Sequence, residues 1–238
     1  MINKRLILSY ILLLVLGLKE LQAQQNNVKA NVGASVTDID GNIYRTVTIG
    51  KQTWMGEDLK TTRYRNGDVI STTNPNMSDI SSENTPKYQW AYDANENNVT
   101  TYGRLYTWYA TTDPRNVCPI GWHVPTNAEW DTLTNFLGGE IEAQVKLKEA
   151  GSKHWNSPND GTNESGFTAL PGGNHWGNKF IGIGRFSHWW TSTELEKDTR
   201  WVWRRFLQND GPAKQFRNTA LKDNAWLCLL YTSPSPRD

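Results

Sequence analysis

Over residues 36–59 apolar and polar side chains alternate, with Ile43, Val47 and Ile49 on one parity and Arg45 interrupting them. Asp40–Gly41 and Gly50–Lys51 punctuate the stretch with residues suited to tight turns, so it predicts strand, turn, strand. Asp38, Asp40 and Asn42 copy the opening of a calcium-binding loop. The pattern then fails, because Ile43 stands where the loop needs Gly and Ile49 where it needs Glu. A hairpin turn is the favoured reading. Residues 66–99 are rich in Asn, Ser, Thr, Asp and Pro and predict a long irregular surface segment around one apolar piece, KYQWAY. YGRLYTWYAT follows, and its period fits a buried strand and a short helix equally well.

At residue 126 the period lengthens. Thr126 is an N-cap and Glu129 lies three residues on, the two halves of a capping box. Trp130, Leu133 and Leu137 share one helical face, and Gly138–Gly139 stops the helix. Before it, Pro119, Ile120 and Gly121 make a turn, and Trp122 and Val124 enter as a short strand. A second helix is expected over 141–148. Residues 156–173 read as loop, short strand and turn; FSHWWTST and TRWVWRRFLQ read as strands. In the latter, Trp201 and Trp203 face one side and Val202 and Phe206 the other, the mark of a central strand covered on both faces. The predicted fold class is α+β: one compact domain with short antiparallel strands, one or two helices and long loops.

The first residues differ from this pattern. Lys4 and Arg5 precede an apolar run over 6–18, and Ala23 follows at a cleavage position, as in a signal peptide. As a helix the run reaches about 20 Å, short of a bilayer. The expected organisation is therefore a leader over 1–23, a polar flexible lead-in over 24–35 and a folded domain over 36–227. Export implies a secreted, periplasmic or cell-surface protein with no membrane span after cleavage. Removing Lys4, Arg5, Lys19 and Glu20 with the leader moves the formal charge from +1 to −1, which gives nucleic acid no purchase. Hydrophobic residues make up 37% of the chain, and twelve Trp, nine Tyr and six Phe supply much of the volume for a core.

Candidate chemistry is sparse. None of His123, His154, His175 and His188 has the spacing of a helical zinc motif. His123 reads as a packed, hydrogen-bonded residue. His175 sits in GGNHWGNKFIGIGRF, read as a Gly-rich loop that also carries Asn174, Trp176 and Arg185. A Trp beside amide and guanidinium groups suits a sugar, whose ring face stacks while its hydroxyls take hydrogen bonds; a surface loop with the Trp folded onto the core is the plainer alternative. Asp160, Asn163 and Glu164 crowd the loop NDGTNE, where they serve either as calcium ligands or as turn residues bonding their own backbone. The turn reading is preferred, and no other cofactor is expected. A glycosidase needs two carboxylates at a set separation, and no motif singles out a pair. Cys118, without a placed His and a third orienting group, reads as structural, as do Thr126, Glu129 and Trp130.

DIDGNIYRTVTIGKQTWMGEDLKTTRYRNGDVI, YGRLYTWYAT, VCPIGWHVPTNAEWDTL, TNESGFTALPGG and WWTSTE, in this order and spacing, resemble the Fibrobacter succinogenes major paralogous domain over residues 36–226. The resemblance implies a secreted bacterial protein, commonly of the Bacteroidota or Fibrobacterota. It also implies a domain related to the C-type-lectin-like and formylglycine-generating-enzyme-like folds. The triplets that C-type lectins use for calcium-dependent sugar binding are absent, and the thiol pair of the formylglycine-generating enzymes is not matched. Members end in a segment whose cysteine is the expected disulfide partner of the one equivalent to Cys118. Here residues 228–238, CLLYTSPSPRD, match one reading frame of a common sequencing-library transposase adapter, so this tail is expected to be non-native, with Cys228 falling where the family's cysteine lies. The resulting expectation is a non-catalytic binding module for a glycan or a surface protein, with an exported hydrolase and a purely structural surface protein as the alternatives.

Overall fold

The computed structural model describes residues 31–73, 78–213 and 215–232. The expected leader, 1–23, lies outside the described residues, as do 24–30 of the lead-in and 233–238 of the tail. Among the described residues no helix is long and apolar enough to cross a membrane.

The fold is α+β. Its strands are β1 (Asn31–Val32), β2 (Val36–Thr37), β3 (Ile43–Tyr44), β4 (Thr46–Ile49), β5 (Gln52–Met55), β6 (Gln89–Trp90), β7 (Leu105–Thr107), β8 (Gly172–Trp176), β9 (Lys179–Ile183), β10 (Phe186–Glu194), β11 (Trp201–Gln208), β12 (Arg217–Leu221), β13 (Ala225–Leu227) and β14 (Tyr231–Thr232). The helices are α1 (Asn97–Tyr102), α2 (Trp108–Thr111), α3 (Asn127–Phe136) and α4 (Glu140–Leu147). An eight-stranded sheet runs β12-β11-β10-β13-β7-β6, with β8 and β9 joined to it through β13. A four-stranded sheet runs β1-β4-β5-β14, and β2 pairs with β3.

Local chemistry accounts for most of these elements. Asp38 Oδ1 accepts from the backbone N–H of Asp40 and of Asn42, so the acidic cluster over 38–42 closes the β2–β3 hairpin. Gly50, at φ 62°, makes the β4–β5 turn possible. Ile43 departs from its expected parity and is exposed, because the run breaks at Arg45, whose guanidinium donates to the carbonyls of Gly56, Gly166 and Phe167. The stretch YGRLYTWYAT resolves into both of its readings, strand β7 followed by helix α2. At the end of the expected lead-in β1 pairs with β4 and Gly33 N–H bonds the Thr46 carbonyl. That pairing covers an otherwise open strand edge. In the tail, Leu229, Leu230 and Tyr231 are buried and β14 pairs with β5, as an apolar run beside an open edge will.

Helix α3 carries the capping box in full. Thr126 Oγ1 accepts from Glu129 N–H at 3.2 Å, and Glu129 Oε2 accepts from Thr126 N–H at 2.7 Å. His123 hydrogen-bonds the other Glu129 oxygen at 2.9 Å and meets Tyr231 edge-on. Its bridge to Tyr231 is all that forms of the strand expected around Trp122 and Val124. Trp130, Leu133 and Leu137 are buried against Trp54, Phe167 and Trp189, and this cluster is the main core. The sheet thus has one face under α3; on its opposite face Trp108 of α2 packs with Trp190, Val202 and Trp226.

Candidate ligand-binding site

The opposite face of the large sheet is an aromatic surface, and strand alternation builds it. On β10 the even positions Phe186, His188 and Trp190 point there, while Trp189 points into the core. On β11 Val202, Arg204 and Phe206 do the same, while Arg205 and Leu207 are buried on the core face. Trp226 of β13 fills the gap between them. Trp190 stacks on Trp226 at 4.4 Å, and His188 stacks on Phe206 at 4.8 Å and lies 5.1 Å from Trp226. The Arg204 guanidinium lies over Trp226 at 4.6 Å and over Phe206 at 5.2 Å, a doubled cation–π contact.

A pocket of about 330 Å³ opens on this surface. Phe186, His188, Arg204, Phe206 and Trp226 line it; Trp176, Ile181, Trp201 and Leu221 form its apolar walls; Asn174, Thr219 and Asn224 add polar groups. Asn174 is buried and lines the pocket. Arg204 Nη1 donates to His188 Nδ1 at 2.7 Å. A guanidinium can only donate, so His188 Nδ1 must be the acceptor and the ring is the neutral Nε2–H tautomer. Burial, reinforced by the Arg204 charge, holds the imidazole well below its usual range.

The predicted binding residues divide between the two sides of one strand. The expected Gly-rich loop is the β8–β9 hairpin, turned at Gly177–Asn178 with Trp176 opposite Lys179. Within β8 alternation sends Asn174 and Trp176 to the pocket and His175 the other way. Trp176 is 65% exposed at the pocket wall. His175 lies away from the pocket: it is buried, stacks on Trp90 at 4.6 Å and nearly parallel, and packs against Phe180. Burial pushes its pKa down to about 4, as suits a neutral core residue. Arg185 lies outside the pocket lining, exposed, with its guanidinium over Phe186 at 5.1 Å. Sequence reading missed His188, Arg204, Phe206 and Trp226, although period-two spacing puts each on a definite parity.

The predicted calcium ligands have other engagements. Asp160 is ion-paired with the buried Lys148, whose ammonium occupies the place a cation would take. Asn163 Oδ1 accepts from Thr168 N–H at 2.8 Å and its amide reaches the Thr168 hydroxyl, and Glu164 is exposed. Among the described residues no group of three or more His, Cys, Asp or Glu side chains is placed to hold a metal.

A second cleft of about 310 Å³ is polar and is lined by Arg45, Glu57, Asp58, Glu149, His154 and Trp189 among others. Asp58 Oδ1 accepts from Trp189 Nε1 at 2.7 Å, and burial pushes its carboxyl up to about 8. Glu57, although burial acts to raise it, is held below the usual range by hydrogen bonds from Lys60 and Arg45. Glu149 is bonded to His154 at 2.8 Å.

Cys118 and Cys228 are free thiols buried in one apolar cluster with Tyr44, Tyr106 and Leu230. Burial pushes Cys118 up to about 12 and raises Cys228 well above its normal range, with Cys118 a further contributor to the latter. Thiols so protonated are poor nucleophiles.

The family model for the Fibrobacter succinogenes major domain matches residues 47–227. The chain belongs to that family. The match runs from β4 through β13 and so takes in the whole aromatic pocket and the second cleft except Arg45 and Leu229. No curated protein and no solved structure matches the chain.

Proposed function

We propose that this Fibrobacter succinogenes major domain is a secreted, non-catalytic binding module, lectin-like in framework, whose ligand sits in the aromatic pocket. One observation carries the reading. A concave aromatic surface, walled by the exposed Trp176 and lined by the Asn174 and Asn224 amides and the Arg204 guanidinium, offers what a sugar ring needs: flat faces for its C–H groups and hydrogen bonds for its hydroxyls. A protein side chain docked in the same place is the other ligand the chemistry allows.

The test is retention on a panel of soluble and insoluble glycans, with calcium or a chelator, together with assay of released reducing sugar. The expected result is retention without release, weakened about tenfold or more by Trp176→Ala through loss of ring stacking. Loss of retention in chelator would show that a divalent cation takes part, and Asp160→Asn with Glu164→Gln would test whether that loop holds it. Absence of retention on every glycan would defeat the glycan reading and favour a protein ligand or a structural role. The exported hydrolase keeps one specific support, the raised Asp58 carboxyl beside Glu57 and Glu149 in the second cleft. Sugar release abolished by Asp58→Asn would establish that reading instead.

We also propose that Cys118 and Cys228, buried in one cluster, pair as a disulfide on export, with Cys228 standing in for the family's C-terminal cysteine although its tail is expected to be non-native. Such a bond closes a loop of roughly 110 residues and is worth several kcal/mol in the chain-entropy model. Alkylation of the unreduced, denatured protein should label neither thiol. Full labelling of both would remove the proposal.

A further inference from the structure

The pocket carries a positive charge that no carboxylate among the described residues pairs with. No Asp or Glu is among its lining residues. Among the described residues Arg204 forms no ion pair, in contrast to Arg205 beside it, which is paired with Asp131. Asp223, next to the lining residue Asn224, makes no ion pair with Arg204 either. The guanidinium is partly enclosed: its Nε is buried without a partner, and Nη1 is spent on the neutral His188. Among the described residues Nη2 has no hydrogen-bond partner, so it is the donor left for a ligand. A second cation, Arg185, sits over Phe186 at the pocket edge.

A desolvated cation of this kind is costly unless an anion meets it. Ring faces offset part of that cost, since the aromatic quadrupoles of Trp226 and Phe206 attract the cation. They supply no hydrogen-bond acceptor for Nη2. The acceptor that fits a planar guanidinium best is a carboxylate, through charge-assisted hydrogen bonds. The rest of the pocket is made for a ring: Trp176 and Trp201 as faces, Asn174 and Asn224 as partners for hydroxyls.

Resting on the binding reading above, we infer that the ligand is an acidic sugar, a uronic-acid residue of an anionic polysaccharide. Its carboxylate lies on Arg204 and its ring lies against the aromatic walls. The pocket discriminates by charge as well as by shape.

The test compares polygalacturonate, alginate and hyaluronan with their methyl-esterified forms, in which each ring is kept and the anion removed. Dissociation constants for the full chain should favour the acid form of at least one polymer by about tenfold or more, with the preference shrinking as salt rises. Arg204→Gln should abolish the preference, and Arg204→Lys should keep part of it. Melting temperatures of both variants separate a lost charge from a lost fold. Equal binding of acid and ester forms by the unaltered protein would overturn the inference, and so would a preference that survives Arg204→Gln in a folded variant. Binding of the neutral esters that still depends on Trp176 would then leave the binding reading standing. No binding of any of the polymers would overturn the acidic-sugar assignment, and the wider glycan panel would then decide the binding reading by itself.

Discussion

Trp130→Ala is expected to lower the unfolding free energy by about 3–5 kcal/mol, the range for removing a large aromatic side chain from a packed core. Trp130 is fully buried, and it touches Trp54 at 4.8 Å, Trp189 at 5.8 Å and Phe167 at 6.2 Å between ring centroids. It is therefore the point where α3, β5 and β10 meet. Its indole N–H has no hydrogen-bond partner in the described structure, so its contribution is packing, and Trp130→Phe should keep much of it. Thr126→Ala and Glu129→Ala each remove half of the capping box of the same helix and should cost only about 1 kcal/mol. Urea denaturation of the four variants checks the ordering. Equal small losses for all of them would mean that α3 is not anchored through Trp130.

Arg205→Ala should cost as much, about 3–5 kcal/mol, by a different route. Arg205 is fully buried, and its Nη2 donates to Asp131 Oδ1 at 2.6 Å. Nη1 donates to Asn127 Oδ1 at 2.9 Å, and Nη2 also reaches the Asn127 carbonyl at 3.2 Å. These bonds tie β11 to the first turn of α3. Truncation removes a donor from each of the two Asn127 oxygens, of which Oδ1 keeps only its bond from Arg217 Nε at 3.0 Å, and leaves a void beside Trp130 and Phe216, whose rings the guanidinium faces. Asp131→Asn keeps the volume and removes only the counter-charge, so it separates electrostatics from packing. Asp131 is partly exposed, and the loss there should be smaller. Thermal or urea melts of both variants decide the matter. An Arg205→Ala protein as stable as the parent would show that the buried pair does not hold strand to helix.

Arg204 and Arg205 also show how far the sequence could be read. Adjacent in the chain, they point to opposite faces, one into a helix-covered core with a carboxylate and one into an open pocket without one. Alternation reveals that they diverge. It does not reveal which face the helices cover, because β10 and β11 carry aromatic residues on both. The capped helix was legible in full, since the cap, its Glu and the Trp130–Leu133–Leu137 stripe are all local signals. The β4–β5 turn was legible for the same reason. The pocket was not, because its members come from β8, β9, β10, β11, β12 and β13, and pairing across such separations leaves no trace in local periodicity. The setting among Gly and Asn singled out Trp176 and His175 alike, because it does not tell the two faces of a strand apart. The two-residue Gly177–Asn178 turn between alternating runs was the overlooked sign that the segment is a hairpin.

The central claim is that the aromatic face of the large sheet, rather than the core or the second cleft, receives the ligand. Indole N–H resonances of the ¹⁵N-labelled protein, followed during titration with a retained glycan, test it directly. The signals of Trp176, Trp201 and Trp226 should shift with one common dissociation constant, while those of Trp54 and Trp130 in the core and Trp189 in the second cleft should stay in place. Saturable binding that moves Trp189 and leaves Trp176, Trp201 and Trp226 unmoved would contradict the account and place the ligand in the second cleft.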